Sequence, residues 1–311
     1  MNNFLKIKNV LQNQILSRSF CTNPKLRFVQ YQKVNSEKNE IGISSEDGQE
    51  ILELSKYCYP SDMKKLIERG INTNEIKEKL SNFDKIKTSD VKLLPPILNP
   101  QKIVCIGLNY RGHCDEQKIE YPKEPVFFAK FQSSLIGPTD DIIAHTITSK
   151  MDWEVELAVV IGSKASKVKR ENAMDHVFGY TIAQDITARE WQKKNGGQWL
   201  ISKSMDTFCP LGPCIAHKSE LDASDLTIKC SVNGEIKQCG KTSEFIFPID
   251  DIISRLTQSI TLLPGDLILT GTCSGVGVFR NPREFLRIGD VIESEIEGIG
   301  KMINTIVCPS L

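Results

Sequence analysis

The sequence predicts an α+β fold made mostly of strand, with a β-rich domain over residues 101–311 behind a small N-terminal α/β unit at 26–98. Three observations predict it. From Lys102 onward, short apolar runs are set off by turn residues, as in Pro264-Gly265-Asp266 and Gly289-Asp290. A helical period appears ahead of that domain, where Met63, Leu66, Ile67 and Ile71 recur every three to four residues. Between the two, Pro95-Pro96 lies in a stretch, 88–100, that reads as a connector.

Taken in order, residues 26–54 suggest short strands, with Phe28, Tyr31 and Val34 leading to Ile41, Ile43 and Ile51-Leu52, and one helical stretch follows near 61–81. In the β-rich part, 102–106, 125–129, 154–161 and 178–184 read as strands, the last ending at Asp185. Thr187-Ala188-Arg189-Glu190 has the spacing of a capping box and is expected to open a helix. Strands at 267–270 and 291–297 follow their turns, and Gly298 and Gly300 lead into a return strand at 302–307.

With 40% apolar residues the chain can bury a sizeable core. Lys+Arg and Asp+Glu balance at 39 each, which leaves no general electrostatic footprint for nucleic acid. Apolar runs fall well short of the roughly 20 residues a membrane crossing needs, so no membrane partner is expected. Ten cysteines are scattered without a C-x-x-C pair beside four histidines, so zinc-site spacing is absent and reduced thiols in a non-secreted protein are the plain reading. The first 36 residues hold no Asp or Glu but six Lys or Arg, with Phe4, Ile7, Leu11 and Ile15 at helical spacing. That opening resembles a mitochondrial transit peptide over residues 1–20, which places the mature chain in the matrix.

Glu154 and Glu156 stand on one face of a strand whose continuation, Ala158 and Val160, is apolar, while Trp153, Val155, Leu157 and Val159 fill the other face. A strand apolar on both faces is buried. Two ionised carboxylates there repel each other and lose hydration unless a cation pairs with them, which points to a metal. Glu293, Glu295 and Glu297 share the i, i+2 spacing, but with Ile292 and Ile296 opposite they read as an ordinary half-exposed strand. Asp185, at a strand end, is a candidate third ligand or else a helix-entry residue. Three carboxylates without a soft ligand favour a hard cation such as Mg²⁺ or Mn²⁺.

His113 and Glu116 would be neighbours on a short helix, where the carboxylate could orient the imidazole as a general base; an exposed polar turn is the alternative. Cys114 reads as a packed cysteine rather than a nucleophile. Lys203 would be a surface lysine on its own. The segment 271–277 is glycine-rich but lacks the dinucleotide and P-loop patterns, so it reads as a tight loop presenting backbone amides and Thr272 to a ligand.

Five strings occur in order: Gly107-Leu108-Asn109-Tyr110 with His113, Asp152-Trp153-Glu154-Val155-Glu156 running to Gly162, Asp185-Ile186-Thr187-Ala188-Arg189-Glu190-Trp191-Gln192, Asp206 to Pro213, and Leu269-Thr270-Gly271-Thr272. Together they resemble the fumarylacetoacetate hydrolase superfamily, most closely its mitochondrial oxaloacetate tautomerases. The resemblance implies a mixed β-sandwich roll, a homodimer, and one divalent metal on Glu154, Glu156 and Asp185. It implies that His113 and Glu116 are the base and its orienting partner on a mobile lid. It further implies that Arg189, Gln192, Lys203 and Thr272 contact carboxylate or enolate oxygens of a 2-oxo acid substrate. Two departures stand out. Cys273 replaces the proline usual in the last loop, and residues 106–112 lack the extra acidic ligand of full-length fumarylacetoacetases, which favours Mg²⁺ over Ca²⁺.

On this reading a metal polarises the 2-oxo acid, a proton leaves C3, and Lys203 adds positive charge where negative charge develops. Keto–enol tautomerisation of oxaloacetate is the activity the resemblance implies. Hydrolysis of an acylpyruvate by water activated at His113–Glu116 and decarboxylation of oxaloacetate share the same electrostatics. A catalytically silent metal-binding protein is the alternative of a different class.

Overall fold

The computed structural model describes residues 25–309, so the transit-peptide reading of 1–20 lies outside the described residues. Strands β1 (Arg27–Lys33), β2 (Asn39–Ser44), β3 (Glu50–Glu53) and β4 (Lys85–Lys87) pair antiparallel in succession. The single helical stretch expected near 61–81 is instead two helices, α1 (Met63–Arg69) and α2 (Thr73–Lys79). The side chain of Asp62 caps the first by accepting from the Lys65 N–H at 2.9 Å. Gly70, at φ +75°, ends it. Asn72 then caps the second through the N–H groups of Asn74 and Glu75. Apolar periodicity ran on through Ile71, but the left-handed glycine and the new cap break the axis there.

The β-rich part adds β5 (Ile103–Gly107), helix α3 (Arg111–Gln117), β6 (Val126–Lys130), β7 (Val155–Ile161) and β8 (Val177–Gln184). Helices α4 (Arg189–Gln192) and α5 (Leu200–Lys203) precede β9 (Cys209–His217), β10 (Thr227–Val232) and β11 (Glu235–Lys241). Helix α6 (Ile249–Thr257), β12 (Leu267–Thr272), β13 (Val291–Ile296) and β14 (Gly300–Val307) complete it. The larger sheet runs β4-β3-β2-β1-β9-β8-β7-β12-β5-β6, with Val91–Leu93 beside β1 and Leu135–Ile136 beside β9. The smaller runs β11-β10-β13-β14, with Ile142–Ile143 at its edge. Among the described residues both end in edge strands, so the architecture there is a mostly-β α+β fold with mixed sheets and no closed barrel. Residues 26–98 are continuous with the larger sheet, because Arg27 and Phe28 pair with Ala216 and Ile215 of β9.

All seven residues of β7 are buried. Val155, Leu157, Val159 and Ile161 pack toward Ile228, Ile292 and Met302 of the smaller sheet. Ala158 and Val160 belong to the opposite cluster, with Phe28, Ile43 and the α1 residues Met63 and Leu66. The central strand thus has an apolar layer on each side, as its two apolar faces require. The control strand β13 behaves as its alternation implied: Ile292 and Ile296 are buried, Glu295 is exposed, and Glu293 pairs with Lys301 at 2.7 Å.

The capping box at Thr187 does not form. Thr187–Ala188 is a short strand antiparallel to Met151–Asp152, and the Thr187 hydroxyl donates to the Asp185 carbonyl. Glu190 is drawn away instead, accepting from the Thr148 hydroxyl at 2.6 Å and the Ser149 N–H at 2.8 Å. Partners some forty residues distant outcompete the local cap. Among the described residues no helix is long and apolar enough to cross a membrane.

Candidate active site

Strand register assembles the acidic residues. Val155 pairs with Gln184 and Glu156 with Ala183, while Glu156 also pairs with Thr272 on the other neighbour. The start of β7, the end of β8 and the end of β12 therefore meet at one edge. The Asp185 N–H donates to the Glu154 carbonyl at 2.9 Å, which brings the residue after β8 beside the one before β7. Carboxylate oxygens of Glu154, Glu156 and Asp185 lie within 4.8 Å of one another, all buried.

Three cations hold this cluster. The Lys203 ammonium, 2% exposed at the end of α5, lies 2.7 Å from Glu154 Oε2 and 2.6 Å from Asp185 Oδ2, so the surface-lysine alternative is excluded. Arg189 donates through Nε to Asp152 Oδ2 at 2.7 Å, and its Nη2 makes a 2.7 Å ion contact with Glu154 that is not aligned as a hydrogen bond. Lys130, at the end of β6, donates to Asp185 Oδ1 at 2.7 Å and to the carbonyls of Ile186 and Lys203. Burial works against ionisation of Glu154, but Lys203 and Arg189 hold its carboxyl down at about 2. Glu156 contrasts with it. Burial first, and then the charges of Asp185 and Glu154, push its carboxyl well above the usual range, and the Gly271 N–H at 2.7 Å is its hydrogen-bond partner.

Among the described residues Glu156 has no ion pair, although it stands within the acidic cluster. Three hard oxygen donors, one of them a carboxylate that still needs a counter-charge, fit a divalent cation such as Mg²⁺.

Above the cluster opens a cavity of about 270 Å³, walled on its apolar side by Leu108, Phe128, Trp199 and Phe279. His113 lines it from α3. Its Nδ1 lies 2.6 Å from Glu116 Oε1, while Glu116 Oε2 accepts from the Gly275 N–H at 2.8 Å. Glu116 thus orients the imidazole and is itself fixed by the last loop, leaving Nε2 as the other ring nitrogen. Asn109 anchors the start of α3: its amide donates to the Thr270 and Phe247 carbonyls and accepts from the Phe247 N–H. Cys114 is buried, and burial raises its thiol pKa, as suits a packed residue.

Arg189, Gln192 and Thr272 line the same cavity. Gln192 accepts from Arg189 Nη1 through Oε1 at 3.2 Å, so its amide N–H groups are its remaining donors. The Thr272 hydroxyl is already engaged, donating to the Val155 carbonyl at 2.9 Å and accepting from Gln238 at 2.7 Å.

Sequence reasoning missed three supports. Lys130 closes an apolar strand, where a lysine ordinarily marks the emergence of the chain into water. Asp152 receives Arg189 and the N–H groups of Gly277 and Val278 at 2.7 and 2.9 Å. Gln238 bridges β7 to the last loop through the Val155 N–H and the Cys273 carbonyl. Only the alternation of Asp152 with Glu154 and Glu156 could have drawn attention to one of them.

Residues 102–307 match the family model described as fumarylacetoacetate hydrolase C-terminal. A protein of Xenopus laevis named mitochondrial oxaloacetate tautomerase is 44% identical over 306 residues, covering 96% of this chain and 93% of its own. A Homo sapiens protein of the same name is 42% identical over 288 residues, 91% of this chain and 92% of that one. Among solved structures, fumarylacetoacetate hydrolase from psychrophilic Exiguobacterium antarcticum superposes with a TM-score of 0.82 at 33% identity, covering 91% of this chain and 100% of that one. The 2-hydroxyhepta-2,4-diene-1,7-dioate isomerase of Mycobacterium marinum gives 0.74 at 32% identity, with coverage of 92% and 100%.

Proposed function

The chain belongs to the fumarylacetoacetate hydrolase family, and on that premise we propose that it is a divalent-metal-dependent enzyme of 2-oxo dicarboxylic acids, acting as an oxaloacetate keto–enol tautomerase. The observation that carries this reading is the buried acidic cluster bridged by the Lys203 ammonium at the floor of a small cavity. Glu154, Glu156 and Asp185 would hold the cation, Mg²⁺ in preference to Mn²⁺ or Ca²⁺. When bound it supplies Lewis-acid polarisation of the 2-oxo group.

The chain's own groups do the rest. In enol-to-keto conversion the enol O–H proton departs, negative charge collects on the C2 oxygen, and C3 gains a proton. Lys203 presents a positive charge fixed by two carboxylates, so stabilising that oxygen needs little reorganisation. Arg189 and the Gln192 amide orient the neighbouring carboxylate. His113, steered by Glu116 at Nδ1, takes up the departing enol proton at Nε2 and delivers it to C3. Thr272 shapes the wall through its backbone-anchored hydroxyl, and the apolar side of the cavity limits water.

The short His113–Glu116 contact also supports a second reading, in which the pair activates water to cleave an acylpyruvate and the enolate departs with the electron pair of the broken C–C bond. The two are separated by supplying enol-oxaloacetate with Mg²⁺ while following enol absorbance and pyruvate independently. Fast enol loss without pyruvate is the expected result. Rapid pyruvate release from an acylpyruvate, abolished in His113→Ala, would favour the hydrolase. The mitochondrial names of the relatives and the acid-free opening of the chain support import into the matrix, and family resemblance supports a homodimer. Fusion of residues 1–36 to a fluorescent protein is expected to direct it to mitochondria, and cytosolic fluorescence would contradict this.

A further inference from the structure

Resting on the tautomerase reading, we propose that Lys193 is the residue that selects a dicarboxylic substrate, by pairing with the carboxylate remote from the 2-oxo group. A four-carbon 2-oxo diacid brings two negative charges into the cavity. The carboxylate beside the keto group belongs at the acidic cluster, with Arg189 and the cation. The remote one needs a partner elsewhere, and the charge inventory leaves one choice. The cations at the floor serve the 2-oxo end and are held there, Lys203 by Glu154 and Asp185, Arg189 by Asp152 and Glu154, and Lys130 by Asp185. His113 faces Glu116. Leu108, Phe128, Trp199 and Phe279 also line the cavity and would strip water from a carboxylate without compensation.

Lys193 also lines the cavity, is exposed, and has no ion pair among the described residues. It follows Gln192 directly, at the end of the helix that begins with Arg189. The next residue, Lys194, is not among the lining residues, and its ammonium lies 4.3 Å from the centre of the Trp191 ring. Gln192, between Arg189 and Lys193, is held to Arg189 Nη1 through its Oε1 at 3.2 Å and so belongs to the 2-oxo end of the substrate. One short segment therefore presents Arg189, Gln192 and Lys193 to the cavity, buried, half-buried and exposed in turn. A monocarboxylic 2-oxo acid would leave Lys193 solvated and gain nothing from it, so discrimination resides in this one pairing.

The experiment compares oxaloacetate with its 4-methyl ester, which keeps the shape but removes the remote charge, as enol substrates of wild type, Lys193→Met and Lys193→Arg in the presence of Mg²⁺. With Lys193→Met, KM for oxaloacetate is expected to rise roughly three- to fivefold with kcat changed by less than about twofold, as for one solvent-accessible ion pair. The ester is expected to shift by less than about twofold, and Lys193→Arg to restore most of the loss. Equal losses on both substrates, or no loss on either while wild type is active, would overturn the assignment. An inactive wild type would instead overturn the tautomerase reading on which it rests.

Discussion

Lys130 shows how much of the site depends on a single buried charge. Its ammonium, fully enclosed, is all that balances Asp185 on the side away from Lys203. Lys130→Met keeps the volume but leaves that carboxylate short of a partner, so a loss of about 3–5 kcal/mol in urea unfolding is expected. His217 gives a second prediction at this scale. Burial among Phe28 and Phe178, then the charge of Lys218, lowers its pKa to about 4. The unfolded chain binds the proton near pH 6.5 and the folded one only near 4, so the unfolded state gains protons first as pH falls. Stability is thus full above about pH 6.5 and is lost down to about pH 4, by roughly 1–2 kcal/mol after discounting for partial exposure. His217→Gln is expected to flatten that part of the stability–pH curve.

Glu154 and Glu156 were legible because apolar neighbours on both faces made two carboxylates costly, and the solvated Glu293 and Glu295 confirm that environment distinguishes them. Lys130 and Asp152 were not legible, since each is defined by a partner that folding brings from 55 or 37 residues away. Lys203 was ambiguous for the same reason, as a lysine in a short helix has no local mark of burial.

At the level of elements, the last loop and α3 behave as one device. Glu116 receives the Gly275 N–H, Asp152 receives those of Gly277 and Val278, and the Phe279 ring stands edge-on to His113. Cys273, where the family resemblance leads one to expect proline, is buried, and Gln238 fixes its carbonyl, so side-chain hydrogen bonds hold this loop. Gly275 has φ +105°, and a Cβ there would meet the Lys237 carbonyl oxygen at 2.1 Å. Gly275→Ala is therefore expected to cost about 1–3 kcal/mol and to lower kcat roughly tenfold by releasing Glu116, measured by thermal unfolding and steady-state rates. The expected capping box and the single helix over 61–81 failed for one physical reason. Local spacing proposes an element, but competing hydrogen bonds decide whether it forms and where it ends.

For the whole molecule, individual strands could be read from alternation, but their order could not. β5 lies parallel to β12 across more than 160 residues, and β1 pairs with β9, joining the first residues of the structure to the sheet that carries the site. Phe28 is fully buried against Phe178 in that shared core. Phe28→Ala should destabilise the entire chain by about 3–5 kcal/mol in one cooperative transition. An early, separate transition would mean that residues 26–98 form an independent unit.

On the proposed function, Glu154 and Glu156 at the start of β7, with Asp185 and with Lys203 from α5, accelerate keto–enol exchange. Stopped-flow decay of enol-oxaloacetate with Mg²⁺, for wild type and Glu154→Gln at matched folding, tests it most directly. Rapid enol loss without pyruvate is expected in wild type, and a rate lower by roughly a hundredfold or more in the variant. Equal rates in the two proteins would contradict it.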